Sequence, residues 1–149
     1  MHGFGKNLCS ASLLALAALP SDGFAAEFTG TVPRIQDGAT FDLCDAVACH
    51  RIRIFGIDAP ERGQSGSRDA TNALRDIVKG QTVQCTQVGS GTVCDGRSRP
   101  TNQNRYVAQC FVEKVDIADV LAKNGHACDW VRFSGGHYSR AGQGKRCPR

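Results

Sequence analysis

With 149 residues, 41% of them hydrophobic and 21% charged, the chain has material for one domain with an adequate core and none to spare for a second. Its 18 Lys and Arg outweigh 14 Asp and Glu to give a formal charge of +4, a balance that suits a polyanionic partner without demanding one.

The chain opens on Lys6 and an apolar run from Leu8 to Leu19, followed by Pro20 and small residues around Gly23-Phe24-Ala25-Ala26. That order reads as a secretory signal peptide, residues 1–25, ahead of a mature domain at 26–149 that is secreted or periplasmic. The run is too short to span a bilayer comfortably, and no later stretch looks transmembrane. Cys9 lies inside the run without a lipobox around it. The mature chain keeps Cys44, Cys49, Cys85, Cys94, Cys110, Cys128 and Cys147, which in an exported protein points to disulfides. Cys44 and Cys49 flank a short link between two strands and suit a hairpin clip, while Cys85 and Cys110 end two strands expected to pair. Cys94, Cys128 and Cys147 stay unassigned, although a Cys128–Cys147 bridge would tie the tail to the body. A zinc site at Cys44, Cys49 and His50 is the rival, disfavoured because no CxxC pair or matching His spacing accompanies it.

Strands come first in the mature chain: Phe28 to Ile35, Ala39 to Cys44 and His50 to Ile57, with Asp37-Gly38 as a hairpin signal between the first two. Ala70, Ala73, Leu74, Ile77 and Val78 then recur at helical spacing, with Ser65 or Ser67 to cap the helix and Gly80 to end it. Gln81 to Val88 and Arg105 to Val112 read as strands of a hairpin with a long Gly-, Ser- and Asn-rich loop. Asp116 can cap a second helix carrying Ile117, Val120 and Leu121, with Gly125 at its exit. From about residue 134 the periodicity fades and an irregular, basic tail is expected. Five short strands with a helix between the third and fourth follow the order of an oligonucleotide/oligosaccharide-binding (OB) barrel.

The chemistry concentrates in Arg53-Ile54-Phe55-Gly56-Ile57-Asp58-Ala59-Pro60-Glu61, an arginine and two carboxylates around a rigid Pro at the end of an apolar strand. A guanidinium grips phosphate bidentately, one carboxylate can ligate a hard cation, and a second can orient or deprotonate water. Strand alternation puts Arg53 on a face with Phe55 and Ile57, so that its head group projects from the sheet. Outside such a motif Arg53 would read as a sheet arginine in a surface ion pair, and Asp58 to Glu61 as a plain turn.

Together with Asp37-Gly38-x-Thr40, Asn104-Arg105-Tyr106-Val107-Ala108 and Gly125-His126-Ala127, this motif resembles the staphylococcal nuclease (thermonuclease) family over nearly the whole mature domain. The resemblance implies a mainly β, α+β fold: a five-stranded OB barrel, here stabilised by disulfides. It also implies calcium-dependent hydrolysis of phosphodiester bonds in DNA and RNA, with Arg53, Glu61 and Arg105 as the catalytic residues. Two guanidinium groups would stabilise charge on the phosphate oxygens while a carboxylate aligns water. The expected partners are DNA, RNA or both, single-stranded or denatured in preference. Neither a membrane nor further copies of the chain are expected among them.

Three departures from the family pattern stand out. The turn that reads Asp-Gly-Asp-Thr in the family has Ala39 where the second Asp ligates calcium, and a methyl group cannot replace it. Asp58 keeps the other carboxylate ligand, Ala59 offers a backbone carbonyl, and Asp37 is either a supporting acid or simply the first residue of the turn. Asp42 lies three residues along the strand and faces the opposite way. The cation site is therefore expected to be weakened for calcium or given over to another divalent ion. Second, Thr101-Asn102-Gln103-Asn104-Arg105 keeps the arginine that opens the fifth strand but not the family's tyrosine and basic residue before it. Third, a short tail ending Cys147-Pro148-Arg149 stands where relatives carry an amphipathic helix. His126 and His137 read as surface or supporting residues rather than general bases. Trp130, Phe133 and Tyr138 suit base stacking, with core packing the stronger reading for Trp130. The alternative to a nuclease is a degenerate domain that binds nucleic acid or another polyanion without efficient turnover, followed by a disulfide-stabilised interaction module.

Overall fold

The computed structural model describes residues 25–89 and 97–149. The segment read as a signal peptide, Cys9 and Cys94 lie outside the described residues. In chain order the elements are β1 (Glu27–Asp37), β2 (Thr40–Cys44), β3 (Cys49–Ile54), β4 (Ile57–Asp58), α1 (Ser67–Val78), β5 (Val83–Gln87), β6 (Thr101–Asn102), β7 (Arg105–Val112), β8 (Val115–Asp116), α2 (Ile117–Lys123), β9 (Cys128–Asp129) and α3 (Val131–Ser134), followed by a 3-10 turn at Arg140–Gly142.

Five of these strands close a barrel in the order β3-β2-β1-β5-β7, and β7 returns to β3 in parallel register. The long β1 serves two neighbours: its first residues pair with β5 and its later ones with β2, with register shifts after Thr31 and Ile35. Such bulges bend a strand, which lets one strand turn the corner of a small barrel. Inward positions alternate along the strands, with Phe41 and Leu43 on β2, Ile52 and Ile54 on β3, and Val83 and Cys85 on β5, all buried. Ala70, Leu74 and Val78 are buried at four-residue spacing on α1, so the helix closes one end of the core with a single apolar stripe. This is the expected OB-type, α+β architecture.

The cysteine pairing follows the sequence reading. Cys44–Cys49 clips the β2–β3 hairpin, Cys85–Cys110 joins directly paired residues of β5 and β7, and Cys128–Cys147 ties the tail. The first bridge removes both thiols of the rival zinc site, and His50 instead packs against Phe28, with ring centres 4.7 Å apart and the planes tilted by 44°.

Several expectations are corrected. The third strand stops at Ile54 instead of reaching Ile57, because Gly56 takes φ 77° and turns the chain. Ile57 and Asp58 pair with Asp129 and Cys128 in a separate ribbon. The face-sharing argument therefore fails beyond Ile54: Phe55 and Ile57 are buried in the core. Helix α1 is capped by neither Ser65 nor Ser67. Gly66 is its N-cap residue, without a side-chain cap, and Ser67 is already the first helical residue.

The tail is irregular in backbone, as expected, but it is firmly anchored. Tyr138 is 0% exposed, its hydroxyl donating to Asp116 Oδ2 at 2.8 Å, so it is a core residue and no stacking platform. Asp116 also accepts from Gln109 Nε2 at 2.8 Å and caps α2 through the Ala118 N–H at 3.0 Å. Farther on, the buried Asp129 accepts from the hydroxyls of Ser134 and Ser139. Two carboxylates thus hold the tail where relatives are expected to use a helix.

Burial, with the Asp116 charge second, pushes the Tyr138 phenol well above its ordinary value. A folded-state value raised above that of the unfolded chain gives stability that is fully present below about pH 10 and is lost as pH rises beyond it. Tyr138→Phe is expected to cost about 1.5–3 kcal/mol at neutral pH, the range for a hydrogen bond to a charged group. Urea titrations at a series of pH values check this: the gap between wild type and variant should narrow above about pH 10.

Candidate active site

The site forms around the Gly56 turn. Arg53, the penultimate residue of β3, folds back over it and donates from Nη1 to the Ile54 carbonyl at 2.7 Å and from Nη2 to the Ile57 carbonyl at 2.8 Å. Asp58 Oδ1 lies 3.6 Å from Nη2, and the Arg53 side chain is only 13% exposed. Burial holds this guanidinium below its ordinary value; Asp58 and Asp37 raise it, and Arg105 lowers it. An arginine remains charged at any physiological pH, so the residual effect is a concentrated, poorly hydrated cation.

Arg105 opens β7 and reaches the same place because β7 runs parallel to β3, with Val107 opposite Arg53. Its Nε points to the Asn102 carbonyl at 3.4 Å and its Nη1 to the Thr40 hydroxyl at 3.5 Å, both at the weak end of hydrogen bonding. Glu61 follows Pro60 on the exposed side of the turn. Its backbone is pinned by Gln64, whose Oε1 accepts from the Glu61 N–H at 2.7 Å. Its carboxylate has no hydrogen bond or ion pair among the described residues, and it is not among the charges acting on Arg53. The structure thus brings Asp58, Asp37 and Arg105 within electrostatic reach of Arg53 and leaves Glu61 exposed and outside that group.

Beside Arg53 opens a cleft of 570 Å³ whose walls carry Arg97, Arg99, Arg132, Trp130 and Phe133, with no Asp or Glu among its lining residues. Trp130 and Phe133 meet edge to face at 4.7 Å, and the Arg132 guanidinium lies 5.6 Å from the Phe133 ring centre. Trp130 is 39% exposed, which corrects the expectation that it packs in the core. The three additional arginines were not singled out from the sequence. The available signal was the interleaving of basic and aromatic residues in Trp130-Val131-Arg132-Phe133 and the Arg97-Ser98-Arg99 pair in the loop. His137 contacts Arg140 at 2.7 Å, and His126 makes no side-chain hydrogen bond.

A family model described as "Staphylococcal nuclease homologue" matches residues 51–141, more than half of the chain. This chain belongs to the staphylococcal nuclease family. Among curated proteins it is 39% identical over 61 residues to an "Uncharacterized endonuclease" of Escherichia coli O157:H7, a stretch that covers 41% of this chain and 40% of the relative. It is 36% identical over 78 residues to a "Micrococcal nuclease" of Shigella flexneri, covering 52% of this chain and 43% of that one. The alignments span about two fifths of the length of these relatives. The family match begins at Arg51, so β1, β2 and the Asp37–Thr40 turn complete the barrel from outside it.

The residues present do not fit the two-carboxylate calcium site that family membership implies. Ala39 is 3% exposed and its methyl belongs to the core, while its carbonyl accepts from the Ile54 N–H at 2.8 Å. Asp37 spends Oδ1 on the Ala39 N–H at 2.8 Å. The turn leaves little slack: a Cβ on Gly38 would stand 2.7 Å from the Ala70 Cβ and 3.0 Å from that of Ala59. Asp42 is paired with Arg51 at 3.0 Å, so it is committed elsewhere. Among the described residues no three His, Cys, Asp or Glu side chains gather as a metal-binding group.

Ala39→Asp should therefore behave as a calcium-dependent fold. An ionised carboxylate placed at a buried position should lower the melting temperature in chelator, and added calcium should restore it. Thermal melts of both chains with and without calcium read this out. An equal response in wild type and variant would show that Ala39 is not the missing ligand.

Proposed function

We propose that this chain is an exported nuclease of the thermonuclease type, hydrolysing phosphodiester bonds in DNA or RNA with single strands preferred. The observation that carries the reading is the paired guanidinium site: Arg53, oriented by two backbone carbonyls, beside Arg105 at the open end of the barrel. Arg53 keeps donors beyond the two spent on carbonyls, and Arg105 is held only weakly, so both can turn N–H groups toward phosphate oxygens. Their charge then grows in value as the phosphorus gains negative charge in the transition state. Glu61, exposed and without an ion pair among the described residues, is the candidate to orient and deprotonate water. The basic aromatic cleft beside Arg53 suits the adjoining nucleotide, with stacking on Trp130 and Phe133 and phosphate on Arg97, Arg99 or Arg132.

Residues 26–149 form the mature unit in this reading, and export rests on the three disulfides, which persist in oxidising compartments. No helix among the described residues is long and apolar enough to cross a membrane. Calcium, if used, would be held through Asp58 and the Ala59 carbonyl alone, and so weakly; another divalent ion is the alternative.

Ala39 and the lack of any ion pair between Glu61 and the two arginines favour a second reading, in which the domain binds nucleic acid without efficient turnover. Incubating the mature domain with heat-denatured DNA in calcium, manganese or chelator separates the two. Cation-stimulated cleavage that falls about 10²–10⁴-fold in Glu61→Gln is expected for the nuclease. Arg53→Lys should also lose most activity, since a point charge cannot reproduce the fork. Salt-sensitive binding with no cleavage under any condition would establish the binder instead.

A further inference from the structure

A second groove of 620 Å³ runs between β1 and α1, and it begins next to Glu61: Arg62 follows that residue in sequence, and Gln64, which holds the Glu61 N–H, also lines the groove. Arg62, Arg68 and Arg75 line it together with Gln36, Gln64 and Asn72. Its one acid is Asp69, and none of the three arginines is ion-paired to it, because the ion pairs among the described residues are Arg51–Asp42 and Arg53–Asp58. Arg62 donates to the Gln36 carbonyl at 3.0 Å and Arg75 to the Asn72 amide oxygen at 2.6 Å, while the Arg68 guanidinium has no hydrogen bond or ion pair.

Three guanidiniums and one carboxylate, with no ion pair among them, give this concave surface a net positive field. The amides around them offer further hydrogen bonds, and Ile35 is the sole large apolar side chain in the lining. That composition does not suit an apolar ligand. It suits a chain of regularly spaced anions, and α1 repeats its arginines along the groove from Arg68 to Arg75, two turns of helix.

We infer that the β1–α1 groove binds the sugar–phosphate backbone of the same single strand on the far side of the scissile bond. The inference rests on the nuclease or binder reading above, in which the reacting phosphate lies at Arg53 and Arg105. The strand then enters along the aromatic cleft, passes Glu61 and leaves over Arg62, Arg68 and Arg75. Such a path gives internal positions of a long strand more contacts than its ends. The groove reads phosphates and not bases, so it adds affinity without sequence preference.

The test is fluorescence anisotropy in chelator with labelled thymidylate oligomers of about 4 and about 16 nucleotides, the span of site sizes for OB folds. The wild-type chain should bind the long oligomer more tightly than the short one. In Arg68→Ala/Arg75→Ala, whose side chains are exposed and remove no core contact, affinity for the long oligomer should fall to near that for the short. The slope of log K against log salt for the long oligomer should shrink by about 1.4, two contacts at about 0.7 each for single strands. Lys123→Ala/Lys145→Ala removes the same charge from exposed sites outside both grooves and should leave that slope in place. An unchanged slope in the arginine variant, or an equal loss in the lysine control, overturns the groove while leaving the nucleic-acid reading intact. Failure of the wild-type chain to bind either oligomer overturns both.

Discussion

The turn at Gly56 is the constraint on which the site depends. By leaving the β3 direction in a left-handed conformation, the chain turns the Ile54 and Ile57 carbonyls toward one point, and the Arg53 guanidinium closes on both. Glycine is required twice over, by its φ and by its surroundings: a Cβ there would lie 2.9 Å from the Tyr138 ring. The Gly56 carbonyl accepts from the Trp130 N–H at 2.9 Å. The same three-residue turn thus faces the Arg53 guanidinium on one side and the C-terminal segment on the other.

That second contact explains why an irregular tail is ordered so tightly. Tyr138 supports the turn from beneath and is held in place by Asp116, which also fixes the start of α2. Asp129, buried between Ser134 and Ser139, fixes the segment that carries Trp130 and Phe133 to the cleft. Cys128–Cys147 closes 19 residues around these contacts, worth about 3 kcal/mol in the chain-entropy account. A buried carboxylate needs its partners to be tolerated, so each hydrogen bond here also enforces the backbone path that supplies it.

Much of the barrel was legible in the sequence because its strands are short, bounded by turn residues and, for the clipped hairpin, bracketed by cysteines. The Arg105–Val112 strand and the Asp116 cap agree with the structure residue for residue. Local rules failed where distant chain decided the outcome. Periodicity carried β3 through Gly56 because the pressure of Tyr138 against that glycine comes from far along the sequence. Trp130 reads as core from hydrophobicity alone; its partial exposure follows from the ribbon of β4 with β9 just before it. The arginines of the aromatic cleft come from β3, the loop before β6 and α3, so they become neighbours only in three dimensions, whereas Arg62, Arg68 and Arg75 lie close in sequence but need β1 to complete their groove.

The parallel pairing of β3 with β7 has a consequence for how the protein comes into being. Arg53 and Arg105 are separated by most of the barrel in sequence and meet only through that closing seam. Holding two like charges together is unfavourable, and Arg105 still acts against the Arg53 charge in the folded chain, so the packing of the rest of the barrel must hold the seam shut. A chain that has made its hairpins but not closed carries two separate, ordinary arginines. The paired-guanidinium site is thus a cooperative property of the complete circle of strands, and it appears or vanishes with that circle as a unit.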